Sequence, residues 1–324
     1  MARTRLYRNG VLEAENFPAV DISDYLRDPT ATVWLDMCFP TEEDLATISE
    51  ELSLHRLAVE DAVQEHQRPK LDRYDTHWFL TAYTVRLDTE TGMLATSELA
   101  AFITEGALVT VRKDDHIDID DIVERWDSAA ELAKGGVGFL LHGVLDHIVD
   151  GHFDVVQSLD EQIEGLEDLV FADRVDHRDM QRRSLRLRKS LVSLRRVVLP
   201  MREVVNSLLR HDHRGLVDDE LVPYYQDVYD HVLRASEWTE SLRDLITTIR
   251  ETQLNLQGNR LNMIMKKVTS WAAIIAVPTA ITGFYGQNVP YPGYGQPWGF
   301  WFSTVVIIVL SAGLYLLFKR RDWL

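Results

Sequence analysis

The chain contains a single cysteine, Cys38, among 324 residues. It therefore cannot form an intrachain disulfide, which excludes the class of small disulfide-stapled secreted domains and is typical of a reducing compartment. We expect Cys38 to be a buried, inert thiol. Residues 1–9 also lack the apolar core of a cleavable signal peptide. We therefore expect the body of the protein to remain in the cytoplasm, where it is made.

Positive charge is scarce as well, since 34 Lys and Arg residues stand against 51 Asp and Glu residues, for a net charge of -17. This balance argues against nucleic acid as a partner, because phosphate groups attract the opposite sign. An acidic body raises the local concentration of cations instead. The sequence contains no Walker loop, HExxH motif, nucleophile elbow or dinucleotide fingerprint, so we do not expect an enzyme.

Three histidines in the middle of the chain make no metal site by their spacing. His142, His147 and His152 are five residues apart, and residues at that interval do not share a helix face.

Two uncharged apolar segments lie near the C-terminus, at residues 268–286 and 300–318. At 1.5 Å per residue each reaches about 28 Å, enough to cross a bilayer. Lys266 and Lys267 precede the first segment, basic residues 319–321 follow the second, and residues 288–298 carry no charge. The positive-inside rule therefore predicts both termini in the cytoplasm and this loop outside, and we expect a multi-pass protein of the cytoplasmic (inner) membrane. The mean hydropathy of the whole chain is only -0.15, because the charged residues of the body outweigh the two short apolar segments in the average.

The upstream sequence predicts an α/β domain followed by helices. Strand-like runs occupy residues 33–37, 78–85, 99–103 and 107–111, with a hairpin at 104–106, and Thr41 with Asp44 resembles a helix N-terminus. From about Ile119 apolar residues recur at helical spacing. A helix that begins near Asp218 and runs unbroken to Gly286 would be about 100 Å long.

We therefore predict an α+β membrane protein in seven parts. They are a cytoplasmic α/β domain (1–120), a helical hairpin (121–217), a stalk helix (218–267), a first transmembrane helix (268–286), an outer loop (287–299), a second transmembrane helix (300–318) and a basic tail (319–324).

One side of the first apolar segment is small or polar. Its members follow one another at intervals of three and four residues: Asn262, Met265, Thr269, Ala272, Ala276, Thr279, Gly283 and Gly286. Such a stripe is typical of close helix packing, and it equally suits the lining of a narrow aqueous pore. Two helices cannot enclose a pore, so a channel requires an oligomer.

Three separated motifs give the chain a family resemblance. Tyr-Gly-x-Asn, residues 285–288, lies between the two apolar segments, and the chain ends on a basic tail followed by Trp323 and Leu324. Residues 57–62 with 67–71 and residues 225–231 match two further blocks in the same order. In these features, which cover most of the chain, the sequence resembles the CorA family of magnesium and cobalt transporters.

The resemblance implies a funnel-shaped homopentamer in which the first transmembrane helices line the pore. Gly286, Gln287 and Asn288 would then lie at the outer mouth, where five Asn288 carboxamides meet a hydrated cation. Mg2+ gives up its water reluctantly, so neutral oxygens can select it through its hydration shell. Further along the pore come Thr279 and Asn262 as polar rings, Ala276 and Ala272 as small lining residues, Met265 and Val268 as apolar constrictions, and Glu251 as a carboxylate ring.

The resemblance also implies inhibitory Mg2+ sites between neighbouring cytoplasmic domains. Asp227 matches one such position, and Asp88 matches its partner across the interface. Bound Mg2+ would neutralise facing carboxylates and hold the subunits closed, so Mg2+ would be both transported and regulatory.

Two departures from the family pattern leave the transported ion open. Gln287 stands where the family has Met, and the outer loop lacks the usual acidic residues. Co2+, Ni2+ and Zn2+ therefore remain alternatives to Mg2+. A proton-coupled zinc transporter, with a role for His211, Asp212 and His213, is one alternative, although the spans contain no carboxylate or histidine to relay protons. A membrane-anchored cation sensor without a pore is another.

Overall fold

A seven-stranded mixed sheet forms the centre of the first part of the protein. The computed structural model describes residues 2–64, 67–170, 177–210, 216–287 and 290–324, and the chain divides into two units, Met1–Thr248 and Ile249–Leu324. The strands are β1 (Ala2–Arg8), β2 (Val11–Glu15), β3 (Ala31–Cys38), β4 (Lys70–Arg73), β5 (Trp78–Asp88), β6 (Met93–Ile103) and β7 (Ala107–Arg112). Their order in the sheet is β2-β1-β3-β7-β6-β5-β4. Strands β3 and β7 pair in parallel, and the other described pairs are antiparallel.

Short helices cover one face of this sheet. They are α1 (Ile22–Tyr25), α2 (Glu42–Glu51) and α3 (Arg56–Val63). Alternation along β3 sends Val33 and Leu35 into the core beneath them. Helix α2 begins with a capping box, because Thr41 accepts a hydrogen bond from the Asp44 amide and the Asp44 carboxylate accepts one from the Thr41 amide. The four strand predictions and this helix start are confirmed.

The opposite face of the sheet packs against α4 (Ile119–Ser128) and α5 (Gly136–Val170). Trp34 of β3 and Trp126 of α4 meet edge to face with ring centroids 4.9 Å apart. Gly143 of α5 lies directly against the Trp126 indole, and a Cβ atom at this position would be 2.2 Å from the indole nitrogen. The absence of a side chain at Gly143 therefore allows α5 to approach the tryptophan pair.

The expectation of a buried thiol is wrong, because Cys38 is half-buried. It is the last residue of β3 and lines a cavity of about 610 Å³ at the end of the parallel strand pair. Its Sγ lies 3.3 Å from the Asp114 carbonyl oxygen. The thiol is therefore at the rim of the sheet rather than in the core.

Two long helices complete the first unit, α6 (His177–Leu209) and the start of α7 (Val222–Tyr285). Buried residues of α7 recur at intervals of three and four: Tyr225, Val228, Val232, Ala235, Thr239, Leu242, Ile246 and Ile249. Helix α7 begins four residues after the predicted start at Asp218, because the Leu221 amide closes a turn onto the Asp218 carbonyl and Pro223 occupies the first helical turn. It continues through Pro278.

The second unit contains the rest of α7, a connection and α8 (Pro297–Arg320). Both α7 and α8 contain a stretch long and apolar enough to cross a membrane. No residue of the α8 window is buried within the protein, and 6% of the α7 window is buried. Apolar helices with so little cover within the protein are typical of membrane spans rather than of a soluble core.

Candidate functional site

The apolar part of α7 has a covered face and an open one. Ser270 is fully buried, and Ile274, Val277, Ile281 and Tyr285 are half-buried. These residues share one side of the helix, and we assign their cover to α8, the second helix of the unit. The covered face is therefore the side that carries Ser270, Ile274 and Val277.

The small and polar stripe predicted from the sequence lies on the open face of α7. Its described members are all exposed: Asn262, Met265, Thr269, Ala272, Ala276, Thr279, Gly283 and Gly286. At 100° per residue, the stripe points away from the side that carries Ile274, Val277 and Ile281. Packing against α8 within the protomer therefore does not account for it.

Thr279 has a hydroxyl suited to accepting hydrogen bonds from outside the helix. Its Oγ1 donates to the Ile275 carbonyl at 2.9 Å, so the hydroxyl proton is already used. The lone pairs of the oxygen remain available, and the side chain is exposed. Thr282, one turn away in sequence, donates in the same way to the Pro278 carbonyl at 2.8 Å, yet it does not belong to the stripe.

Between the first unit and the apolar segment, α7 exposes large apolar side chains. Leu254 is 55% exposed, Leu261 59%, Met265 63% and Val268 60%. Glu251 is exposed in the same stretch. A stable soluble surface does not usually leave a row of such side chains in water. The helix therefore carries apolar surface that nothing described within the protein covers.

Backbone and side-chain contacts hold the described residues on both sides of the connection after α7. The Gly286 amide bonds to the Thr282 carbonyl at 2.8 Å, and the Gln287 amide bonds to the Phe284 carbonyl at 3.3 Å, so both continue the last helical turn. Asn288, the residue expected at the outer mouth, lies outside the described residues. On the far side of it, the Tyr291 hydroxyl donates to the Tyr285 carbonyl at 2.8 Å.

The predicted regulatory residue Asp88 closes the hairpin between β5 and β6. Its carboxylate accepts hydrogen bonds from the Glu90 amide at 2.9 Å, the Thr91 amide at 3.2 Å and the Thr91 hydroxyl at 2.6 Å. The Thr91 hydroxyl, followed by these amides, lowers the pKa of Asp88 below its ordinary value. An ionised carboxylate that is exposed at a turn has lone pairs left over for a cation.

The second predicted regulatory residue, Asp227, is exposed near the start of α7. Its carboxylate is 4.0 Å from His231 Nε2, and His231 Nδ1 is 3.6 Å from the Asp150 carboxylate of α5. Among the described contacts, none joins Asp227 to Asp88 within one protomer. The structure therefore does not bring the two together in a single chain.

Behind Asp227 lies an ion-pair network centred on Arg125 of α4. Its guanidinium contacts Asp121 at 3.0 Å, Asp146 at 2.9 Å and Asp150 at 2.8 Å, and Asp121 also contacts His147 Nδ1 at 2.7 Å. Burial opposes the charge of Arg125, but its bond to Asp150 and the neighbouring carboxylates raise its pKa above the ordinary value. The network fixes α4 to α5 beside the Asp227 surface.

Sequence reasoning missed Arg125 and Tyr291. The four-residue interval from Asp121 to Arg125 is visible in the sequence and indicates an ion pair on one helix face, whereas Asp146 and Asp150 are like charges four residues apart, which favours a cation supplied by another element. The contact that joins the two helices depends on tertiary packing, which no local pattern reports. For Tyr291, the flanking Pro290 and Pro292 indicate a fixed turn but not its partner.

The three histidines of α5 have separate surroundings, as their spacing predicts. His142 packs against Tyr225 with centroids 5.5 Å apart, His147 contacts Asp121, and His152 is buried against the Tyr83 carbonyl at 2.7 Å. Among the residues that the structure describes, no cluster of three or more His, Cys, Asp or Glu side chains could hold a metal ion. Residues 211–213, named above for a zinc transporter, lie outside that part of the chain.

Comparisons with known proteins agree on one family. Residues 30–320 match the family described as CorA-like Mg2+ transporter protein. The cobalt/magnesium transport protein CorA of Thermotoga maritima is 28% identical over 317 residues, 96% of this chain and 90% of that protein. The protein of the same name from Methanocaldococcus jannaschii is 25% identical over 324 residues, covering 98% of both chains.

The solved structure of the complete Methanocaldococcus jannaschii CorA magnesium transporter superposes with a TM-score of 0.80, at 23% identity, over 100% of this chain and 99% of that one. This likeness confirms the fold class: an N-terminal α/β domain, a long helix and two C-terminal apolar helices. The matching family and the named relatives are transporters rather than enzymes. With the match extending over residues 30–320, the chain belongs to the CorA-like Mg2+ transporter family.

Proposed function

We propose that the protein carries divalent metal cations, most of all Mg2+ and also Co2+ and Ni2+, inward across the cytoplasmic membrane. The observation that carries this proposal is the open face of α7, where small and polar residues from Asn262 to Gly286 stay uncovered on the side away from α8. Since two helices cannot enclose a pore, several protomers place these faces around a shared axis. The family's named transporters support the same function.

The lining described above suits an ion that keeps its water. Water bound to Mg2+ presents its protons outward, and Mg2+ loses that shell reluctantly. The exposed Thr279 oxygen accepts hydrogen bonds, because its own proton is bonded to the Ile275 carbonyl. Asn288 carboxamides at the outer mouth and Asn262 deeper in the pore supply further neutral oxygens, and Glu251 supplies a carboxylate ring below. Such contacts bind the hydrated ion weakly enough to release it.

The oligomer that we propose is a homopentamer with both termini in the cytoplasm. The exposed apolar side chains of Leu254, Leu261, Met265 and Val268 support assembly, since neighbouring copies of α7 would remove them from water. Met265 and Val268 form the apolar constrictions, and Ala272 with Ala276 keeps the lining narrow. Lys266 and Lys267 mark the cytoplasmic end of the span.

Regulation by internal Mg2+ is part of the same proposal. Asp227 of one subunit and Asp88 of the next bind the ion at their interface, which holds the assembly closed. Both side chains are exposed, and the lowered pKa of Asp88 favours its ionised carboxylate, so both residues are accessible to a cation. When internal Mg2+ falls, repulsion between acidic surfaces favours the open state.

Ion flux into proteoliposomes that contain the purified full-length protein tests this function. We expect Mg2+ to enter independently of a proton gradient and to stop as Mg2+ rises on the cytoplasmic side. Zn2+ entry coupled to protons would instead identify the protein as a proton-coupled zinc transporter. Binding of cations without flux of Mg2+, Co2+, Ni2+ or Zn2+ would contradict the pore and favour a sensor.

Two lining substitutions sharpen the test. Asn288→Ala removes the carboxamide at the outer mouth, so we expect Mg2+ uptake to be lost while cross-linking still gives species up to five chains. Thr279→Val removes an oxygen from the stripe, and we expect it to slow flux at least several-fold. Thr282→Val makes the same chemical change off the stripe and serves as its control. Equal flux in the two threonine variants would contradict the assignment of Thr279 to the pore lining.

A further inference from the structure

The last carbonyl of α7 has a donor that does not belong to the helix. Tyr285 is the final helical residue, and carbonyl groups in the last turn of a helix lack partners within it. The Tyr291 hydroxyl donates to this carbonyl at 2.8 Å. A side chain six residues along the chain therefore caps the helix at the point where the Gly-Gln-Asn sequence begins.

Aromatic contacts hold Tyr291 in the position from which it donates. Its ring lies 5.0 Å from the Tyr285 ring at an interplanar angle of 73°, and 5.3 Å from the Tyr294 ring at 88°. Both are edge-to-face arrangements, the favourable geometry for aromatic pairs. Pro290 and Pro292 flank Tyr291 and restrict the backbone on either side. The hydroxyl is therefore preorganised rather than free to swing.

The chain after Tyr291 is fixed to the start of α8. The Tyr294 amide bonds to the Tyr291 carbonyl at 2.9 Å, and the Gln296 amide bonds to the Gly293 carbonyl at 3.1 Å. Gly299 is buried against Gly293, where an added Cβ atom would lie 2.6 Å from the Gly293 carbonyl oxygen. Tyr291 thus connects the end of one apolar helix to the beginning of the next.

The bond from Tyr291 to Tyr285 joins the two described sides of the connection after α7. It limits the freedom of Gly286 and Gln287, which continue the helix end that it caps. The outer loop has no charged residue in positions 288–298 that could draw a cation by electrostatic attraction. Recognition at this mouth therefore depends on where neutral groups are held, and the position of Gly286 and Gln287 depends on the helix end that Tyr291 caps.

We propose that Tyr291 is a positioning residue for ion recognition, which holds the Gly286-Gln287 turn through its hydroxyl bond to the Tyr285 carbonyl. This inference rests on the proposed transport function. Tyr291 does not touch the ion. It reduces the freedom of the groups that do, so its loss weakens apparent ion affinity more than it lowers the maximal rate.

Tyr291→Phe tests this role, with Tyr294→Phe as the matched control. Both variants lose one phenolic oxygen from the same loop, and in the described part of the chain the Tyr294 hydroxyl has no hydrogen-bond partner. In proteoliposomes we expect Tyr291→Phe to raise the half-saturating Mg2+ concentration roughly two- to tenfold, with a smaller change in maximal flux. Tyr294→Phe should match the wild type. Equal half-saturating concentrations in both variants and the wild type would overturn the inference.

Hydrogen–deuterium exchange of the same purified full-length variants tests positioning without any flux. We expect the Gly286 and Gln287 amides to exchange several-fold faster in Tyr291→Phe than in Tyr294→Phe, because the helix end frays. Unchanged exchange would overturn the positioning role even if transport is normal. Absence of flux in the wild type would instead overturn the proposed function, and the exchange result would still decide the role of Tyr291.

Discussion

His152 is, with His77, one of two buried histidines among the described residues of the first unit, and its surroundings favour the neutral ring. Its Nε2 donates to the Tyr83 carbonyl at 2.7 Å, while its Nδ1 is buried without a hydrogen-bond partner among the described residues. Protonation would place a second N–H where no acceptor is available. Burial therefore lowers the pKa of His152 from 6.5 to about 4, against a smaller opposing effect of the Tyr83 bond.

Stability should fall on acidification for this reason. Between pH 6.5 and 4 the unfolded chain binds a proton at His152 that the folded chain does not, so unfolding becomes easier by up to about 1.4 kcal/mol per pH unit. We expect His152→Gln, which can still donate to Tyr83, to reduce the loss of thermal stability between pH 7 and pH 5. His116→Gln changes an exposed histidine and serves as the control. Identical pH dependence in the two variants would contradict this assignment.

Single residues also show what the sequence could and could not predict. Thr41 and Asp44 indicate their capping box because both partners lie within one helical turn. The prediction that Cys38 is buried was wrong, because Cys38 is the last residue of β3 and lies at the edge of the sheet. The role of Tyr291 could not be predicted from the sequence. Its hydrogen-bond partner is a backbone carbonyl, and every residue has one, so no sequence motif marks the contact.

Among the elements, α5 contains two glycines with opposite surroundings. Gly143 lies against the Trp126 indole, whereas a Cβ atom at Gly151 would have no heavy atom within 4 Å. We expect Gly143→Ala to destabilise the protein by about 1–3 kcal/mol through overpacking. Gly151→Ala should instead stabilise it by about 0.5–1 kcal/mol through helix propensity. Thermal unfolding of the full-length variants checks both, and shifts of the same sign would contradict the packing described for Trp126.

The elements were predictable where periodicity is strong. The apolar strands β3, β5, β6 and β7 and the long helices follow from local patterns. Strands β1, β2 and β4 were missed, because Ala2–Arg8, Val11–Glu15 and Lys70–Arg73 are polar or short and are held by their neighbours in the sheet. The sequence also left the stripe on α7 open to two interpretations, and its exposure is one of the observations behind the proposed pore lining.

At the scale of the whole molecule, the proposed regulation depends on one exposed carboxylate of α7. Asp227→Ala removes a ligand for internal Mg2+, so we expect the concentration that half-inhibits flux to rise roughly fivefold or more. Asp230→Ala is the matched control, since Asp230 is exposed on the same helix three residues away. Flux inhibition in proteoliposomes measures both. An unchanged half-inhibiting Mg2+ concentration in the Asp227 variant would contradict a regulatory role for this residue.

Pro278 gives the first apolar helix a point of low bending stiffness. Because proline has no amide proton, the Ile274 carbonyl loses its helical donor, while the helix continues to Tyr285. The missing bond lies on the side of α7 that carries Ile274, Val277 and Ile281, opposite Thr279 and Gly283. The last two turns of α7 can therefore tilt about this point more easily than a helix with every hydrogen bond in place, and in the proposed pore such a tilt would widen or narrow the mouth.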